Sequence, residues 1–172
     1  MKISVNAGHT KEGAGCGASY KGFHESHITR AVVKALIPKL KERGHTVHSS
    51  TVDKAGTQSA YLKKTCQLVN DSGADLFLSV HCNASSSHLG QGVECWTWRG
   101  KKHATAAKIC AQVAGLGYKN RGIKDGSGFY VVKHTKPTAI LVELFFLDNY
   151  TDRKLYLEHG AEKIAEAIAK SI

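Results

Sequence analysis

A chain of 172 residues with 24 Lys+Arg against 14 Asp+Glu carries a formal net charge of +10. That length suits one compact domain with a real core and excludes two ordinary ones, and no apolar run approaches the ~20 residues that a membrane-spanning helix needs. The positive surplus points to an acidic partner (nucleic acid, an anionic membrane surface or an anionic polymer such as a bacterial wall) or to a solvated basic surface, and charge alone does not choose among them.

In chain order, Lys2 to Ala7 places Ile3, Val5 and Ala7 on one parity and reads as a first strand, with His9 at its carboxyl end. The same stretch is too short in apolar residues for a secretory signal, which predicts synthesis in the cytoplasm without a signal peptide. A glycine-rich loop, Gly13 to Ala18, leads to a helix from about Glu25 to Arg43, with Ile28, Val32, Ala35, Leu36 and Leu40 at steps of three or four. Pro38 should kink that helix, and Gly44 should stop it. Thr46 to Val52 reads as a second strand. Thr57 then caps a helix whose inward face is Leu62, Thr65, Cys66 and Val69 and which ends at Ser72-Gly73.

The most apolar run, Leu76 to Val80, ends in His81-Cys82-Asn83 and reads as a buried strand delivering polar groups to a sheet edge. A polar loop separates it from a fourth strand, Val93 to Trp98; with no helix between them, the third and fourth strands are expected to be antiparallel. A small-faced helix from about His103 to Leu116 follows. Asn120 to Gly128 reads as a basic, glycine-rich loop, and Phe129–Val132 and Thr138–Phe145 as the last two strands. A final helix starts at Asn149 or Thr151 and is interrupted near Gly160. This alternation predicts an α/β fold of three layers, with about six strands in a mostly parallel sheet and helices on both faces. Five cysteines with no CxxC spacing read as reduced, mostly buried thiols.

In an open α/β sheet functional groups gather outside the carboxyl ends of the strands, where His9 and His81 both fall. Glu25 in the first turn of a helix is a suitable third ligand, because a helix N-terminus favours a carboxylate; His24 and His27 are alternatives to it. Two imidazoles and a carboxylate with an open position would make a catalytic zinc site. Glu143 lies inside the apolar run Ala139 to Phe146, where an ionised carboxylate costs several kcal/mol unless it is paired, near a metal or protonated. It reads either as a general base or as half of an ion pair with a loop lysine or Arg121.

Val5-Asn6-Ala7-Gly8-His9, Glu25 opening a helix, Ser79 to Ala84, Asn120 to Lys124 and Val142 to Asn149 occur in an order that resembles the zinc-dependent N-acetylmuramoyl-L-alanine amidases, most closely the catalytic domains of phage endolysins and bacterial autolysins. The resemblance spans nearly the whole chain. It implies zinc ligands His9, Glu25 and His81, Glu143 as the catalytic carboxylate, and hydrolysis of the amide between muramic acid and L-alanine. Asn83 and Arg121 would position the substrate. Thr10 departs from the pattern, since many relatives have a glycine there. On this reading residues 1–172 form a single catalytic domain with no separate wall-binding domain, and it acts on the cell wall after release. Peptidoglycan is the expected partner, with anionic wall polymers as a second, and neither nucleic-acid binding nor membrane insertion is expected.

Three other readings compete. Gly13 to Ala18 fits the G-x-G-x-x-A dinucleotide fingerprint, but it neither follows the strand at once nor opens the helix. A non-catalytic wall- or nucleic-acid-binding module would use the charge with Trp96 and Trp98, yet it leaves Glu143 unexplained and shows no known nucleic-acid signature. A zinc-dependent peptidoglycan peptidase keeps the metal and changes the bond.

Overall fold

The computed structural model describes residues 1–13 and 15–172; Ala14, within the dinucleotide-like glycine loop, lies outside them. A six-stranded sheet is built from β1 (Lys2–Ala7), β4 (Thr46–Ser49), β5 (Leu76–Asn83), β6 (Val93–Thr97), β7 (Asn120–Asp125) and β8 (Thr138–Phe146), in the spatial order β4-β1-β5-β8-β6-β7. The first four in that order are parallel; β6 runs antiparallel to β8, and β7 runs parallel to β6. The third and fourth long strands of the chain do run in opposite directions, as expected, but β8 is inserted between them.

Alternation along the strands separates two faces. Ile3, Val5, Leu78, Val80, Ile140 and Val142 pack with α1 (Glu25–Glu42), α3 (Ala104–Ala114) and α5 (Tyr150–Ala169) in the larger core. Full burial of each large aliphatic side chain stabilises the fold by roughly 1.5–3 kcal/mol before entropy is counted. The opposite parity of β5 and β8 sends Phe77, Ala139 and Leu141 to a smaller core against Cys66 and Val69 of α2 (Gln58–Asp71) and Val131 and Val132 of α4 (Tyr130–His134). On that second face β1 presents Ser4 and Asn6, fully buried and tied to the 50s loop: Ser4 Oγ donates to Ser50 Oγ at 3.0 Å and Asn6 Nδ2 to the Ser50 carbonyl at 3.2 Å.

Two expected elements change type. Phe129–Val132 is not a strand: Tyr130–His134 is helical, because burying Val131 and Val132 side by side against α2 needs a helical turn rather than a pleat. Asn120–Asp125 is a strand rather than a loop. As an edge strand it pairs only with β6, so it needs no continuous apolar run, and its charges guard the open edge. The second strand ends at Ser49, three residues early, and α1 runs through Pro38 as one helix. A two-stranded hairpin, β2 (Ser19–Tyr20) and β3 (Phe23–His24), stands just before α1 and has no counterpart in the sequence reading. Thr57 caps α2 by accepting the Ala60 N–H at 3.1 Å, and α5 breaks its helical geometry at Gly160, both as expected. Four of the five cysteines are buried, and all are free thiols.

Candidate metal centre

His9 leaves β1 with a positive φ of 66°, a backbone state uncommon for a residue with a side chain and one that recurs at functional sites. Its Nδ1 lies 2.9 Å from the Gly15 carbonyl, an atom that only accepts, so Nδ1 carries the proton and Nε2 is turned inward. Nε2 stands 3.2 Å from Glu25 Oε1, and His81 Nδ1 stands 3.1 Å from the same oxygen. The other His81 nitrogen, Nε2, is 3.1 Å from Ser79 Oγ, whose own proton goes to Asn6 Oδ1 at 3.1 Å. Buried Glu25 is anchored by backbone: the Cys82 N–H donates to Oε1 at 3.0 Å and the Ala18 N–H to Oε2 at 2.9 Å.

Three ligand atoms, one from each of His9, Glu25 and His81, lie within 4.8 Å of one another. With Nδ1 of His9 protonated, a neutral imidazole would aim its Nε2 lone pair at a carboxylate oxygen, an arrangement that only a proton or a cation relieves. Burial pulls the His9 pKa down, but the Glu25 hydrogen bond and charge outweigh it and raise the pKa overall. For Glu25 burial favours the neutral form, and hydrogen bonds with His81 and His9 overcome it and hold the carboxyl well below its usual range. Two imidazoles and one carboxylate suit zinc with an open coordination position, and the Gly15 and Ser79 contacts are the outer partners such ligands require.

Two glycines make room for the cluster. A Cβ on Gly8 would lie 2.3 Å from His81 Cε1, and one on Gly17, whose φ is +82°, would lie 2.6 Å from Glu25 Oε2. Thr10, where a glycine was the alternative, is fully buried, and its N–H reaches the Gly15 carbonyl at 3.3 Å.

Glu143 is the cross-strand neighbour of His81 in the parallel pair β5–β8. The ion pair with Arg121 does not form. Arg121 Nε instead donates to Glu94 Oε2 at 2.7 Å, and Asn83 Nδ2 donates to Glu94 Oε1 at 2.8 Å. Glu143 Oε2 is buried and meets no hydrogen-bond partner among the described residues. Burial, and then the charges of Glu25 and Glu94, push its pKa well above the ordinary carboxylate value.

His9, Glu25, His81 and Glu143 share a cavity of about 530 Å³, walled by Gln58, Tyr61, Leu62, Phe129 and Tyr130. Asn83 and Arg121 do not line it, and among its described lining residues there is no Lys or Arg. His24 Nδ1 hydrogen-bonds with Ser19 Oγ, and its ring lies tilted against that of His27, so neither alternative ligand joins the cluster. Sequence reasoning missed Glu94, Tyr61 and the Asn6–Ser79 relay. Glu94 carried the same signal as Glu143, an acid within an apolar strand, and the polar parity of Ser4 and Asn6 marked the second face.

Comparison with known proteins adds a separate line of observation. The family model described as N-acetylmuramoyl-L-alanine amidase matches residues 3–172. The N-acetylmuramoyl-L-alanine amidase CwlM of Bacillus licheniformis is 30% identical over 180 residues, covering 100% of this chain and 67% of that protein. LytC of Bacillus subtilis (strain 168), an amidase of the same description, is 28% identical over 172 residues, 96% of this chain and 34% of that protein. Among solved structures, the catalytic domain of the CD27L endolysin targeting Clostridia difficile superposes with a TM-score of 0.89 at 30% identity, covering 99% of this chain and 96% of that one. The chain spans about half the length of other curated relatives it matches.

Proposed function

Because the chain belongs to the N-acetylmuramoyl-L-alanine amidase family, we propose that residues 3–172 form a catalytic domain that hydrolyses the amide between N-acetylmuramic acid and L-alanine in peptidoglycan, with zinc as cofactor. The observation that carries this reading is the convergence of His9, Glu25 and His81 beside Glu143 in one cavity. His9 Nε2, His81 Nδ1 and the Glu25 carboxylate would hold the ion. Bound there, zinc supplies Lewis acidity, which lowers the pKa of a water toward ~7 and steadies negative charge on a carbonyl oxygen.

The chain's own residues do the rest. Glu143, with one oxygen free of protein partners, accepts the proton of the attacking water and returns it to the departing alanine amine. Its burial keeps the proton from being lost to bulk solvent between these two transfers. Gly15 and Ser79 hold the imidazole planes, while Asn83 and Arg121 act on the substrate indirectly, by fixing Glu94 behind Glu143. Leu62, Phe129 and Tyr130 give the cavity an apolar wall against which the lactyl and alanyl groups pack and from which water is excluded. No helix among the described residues is long and apolar enough to cross a membrane.

The test is digestion of purified sacculi with and without a chelator, followed by mass spectrometry of the fragments. New alanine amino termini, without new reducing sugar ends and only without the chelator, are the expected products. Intact glycan with cut cross-bridges would assign a peptidase, and retention on sacculi with no soluble product would assign a binding module.

A further inference from the structure

The positive surplus of the chain is not placed at the catalytic cavity, which has no Lys or Arg among its described lining residues. Three of the 24 Lys+Arg, namely Lys101, Lys133 and Lys136, line a second cavity of about 320 Å³ together with Trp98 and His103, and no acidic residue lines it. Some surface cations are paired, as where Lys39, Arg43 and Lys170 reach Glu166, Arg30 reaches Asp53 and Lys54 reaches Glu12, and others, such as Lys41, Lys108 and Lys163, stand apart on separate helices; Lys101, Lys133 and Lys136 differ in sharing one cavity. No such pairing is found for Lys101, Lys133 or Lys136 among the described residues. Three unpaired ammonium groups around one concavity repel each other, and an anion held between them removes that repulsion.

Both segments that bring these lysines together are pinned. Thr97 Oγ1 donates to the Lys101 carbonyl at 2.8 Å, closing the turn that carries Trp98. Asn70 clamps the other segment, with Nδ2 donating to the His134 carbonyl at 3.1 Å and Oδ1 accepting the Lys136 N–H at 2.7 Å. Trp98 is 40% exposed, so part of its ring is open to a ligand, and Arg99 lies over it at 5.5 Å in a left-handed backbone state, φ 55°. A flat aromatic beside ammonium groups suits a sugar or polyol joined to phosphate. Ala139 lines this cavity and Glu143 the catalytic one, on the same parity of β8 four residues apart. Leu141, two residues from Ala139, also lines the catalytic cavity, so the two cavities adjoin along one face of the sheet, with nearest lining residues on β8 about 7 Å apart.

We propose that the Lys101–Lys133–Lys136 cavity is a second, non-catalytic site that holds a phosphodiester-linked polyol or sugar polymer. Phosphate oxygens are taken by the lysines, and a carbon-bound face of the polyol packs on Trp98. The choice of polymer rests on the proposed action at the wall; the cavity and its charge do not.

The experiment is calorimetric titration of the full chain with poly(glycerol phosphate), at low and at physiological salt. The variants are a Lys101→Ala/Lys133→Ala/Lys136→Ala triple and a control triple, Lys41→Ala/Lys108→Ala/Lys163→Ala, that removes equal charge from helices on the other face. The first triple is expected to weaken binding by roughly tenfold and the control by less than about twofold, with hydrolysis of a soluble muropeptide unchanged in both. Trp98→Ala should weaken poly(glycerol phosphate) and leave inorganic polyphosphate untouched. Equal losses in the two triples would mean diffuse charge and overturn the site, as would no loss in either, or displacement of the polymer by RNA of equal charge. Since the titration needs no turnover, a protein that binds but does not hydrolyse refutes the amidase reading alone, and one that hydrolyses but does not bind refutes this site alone.

Discussion

Glu94 and Glu143 are directly opposed across the antiparallel pair β6–β8, two buried carboxylates on neighbouring strands with different surroundings. Glu94 is held on both oxygens, by Asn83 and Arg121, whereas Glu143 keeps one oxygen without a partner and faces the cavity. The satisfied acid is held in place by an amide and a guanidinium. The unsatisfied one is left free to exchange a proton; burial first, then the charges of Glu25 and Glu94, favour its protonated state in the metal-free protein, and a bound cation would favour the ionised form that accepts a proton.

Glu143→Gln should retain zinc, measured by elemental analysis after dialysis, and lose hydrolysis of sacculi by ~10²–10⁴. Undiminished activity would remove Glu143 from the mechanism.

The same substitution makes a stability prediction for chelator-treated protein. The folded pKa of Glu143 lies above its ordinary value of 4.5, so the native state holds this proton more tightly than the unfolded chain does. Its contribution is therefore complete below pH 4.5 and is lost as pH rises through the folded pKa. The melting temperature of Glu143→Gln, relative to wild type, should climb between pH 4.5 and 7.5, and a gap that does not change with pH would contradict the burial argument.

His81→Ala should lose both metal and activity, because it would remove one of the three proposed ligands. Stoichiometric zinc in that variant would overturn the ligand set.

Ser79→Ala leaves every ligand in place and removes only the hydroxyl between His81 Nε2 and Asn6 Oδ1. Zinc affinity, read by competition with a chromophoric chelator, should fall by about 10–100-fold. Unchanged affinity would make the Asn6–Ser79 relay a packing feature only.

Arg121→Ala strips the guanidinium from buried Glu94. The cost should be on the order of 2 kcal/mol in urea unfolding, below the ~3–5 of a fully buried pair because the Arg121 side chain remains 31% exposed. Activity per folded molecule should fall through kcat, with KM nearly unchanged; a rise in KM alone would mean that Arg121 touches the substrate itself.

Much of the fold was legible wherever local pattern and tertiary environment agreed. β5 and β8 carry long apolar runs because both their faces are covered, β1 shows its two faces by alternating Ile3 and Val5 with Ser4 and Asn6, and Thr57, Asn149 and Gly160 mark helix features through their own side chains or backbone freedom. Reading failed where a short segment owes its state to one neighbour. Phe129–Val132 has too few residues to show a period, and its helical turn follows from the floor that α2 offers it. Asn120–Asp125 looks like a loop because an edge strand can be polar.

The sequence alone singled out His9 and His81 near strand ends and Glu143 inside an apolar strand, since periodicity marks where an element runs, and it placed Glu25 in a helix's first turn with His24 and His27 as alternatives. Their convergence was decided by tertiary structure: Glu25 is 56 residues from His81, and only the fold-back of the chain onto parallel β1 and β5 closes that gap to 3.1 Å. Whether Arg121 paired with Glu143 was likewise open in the sequence, which showed no sign of Glu94 as its partner. That choice turned on β6 lying between β7 and β8, a matter of strand order, which depends on how whole faces pack and leaves no trace in local spacing.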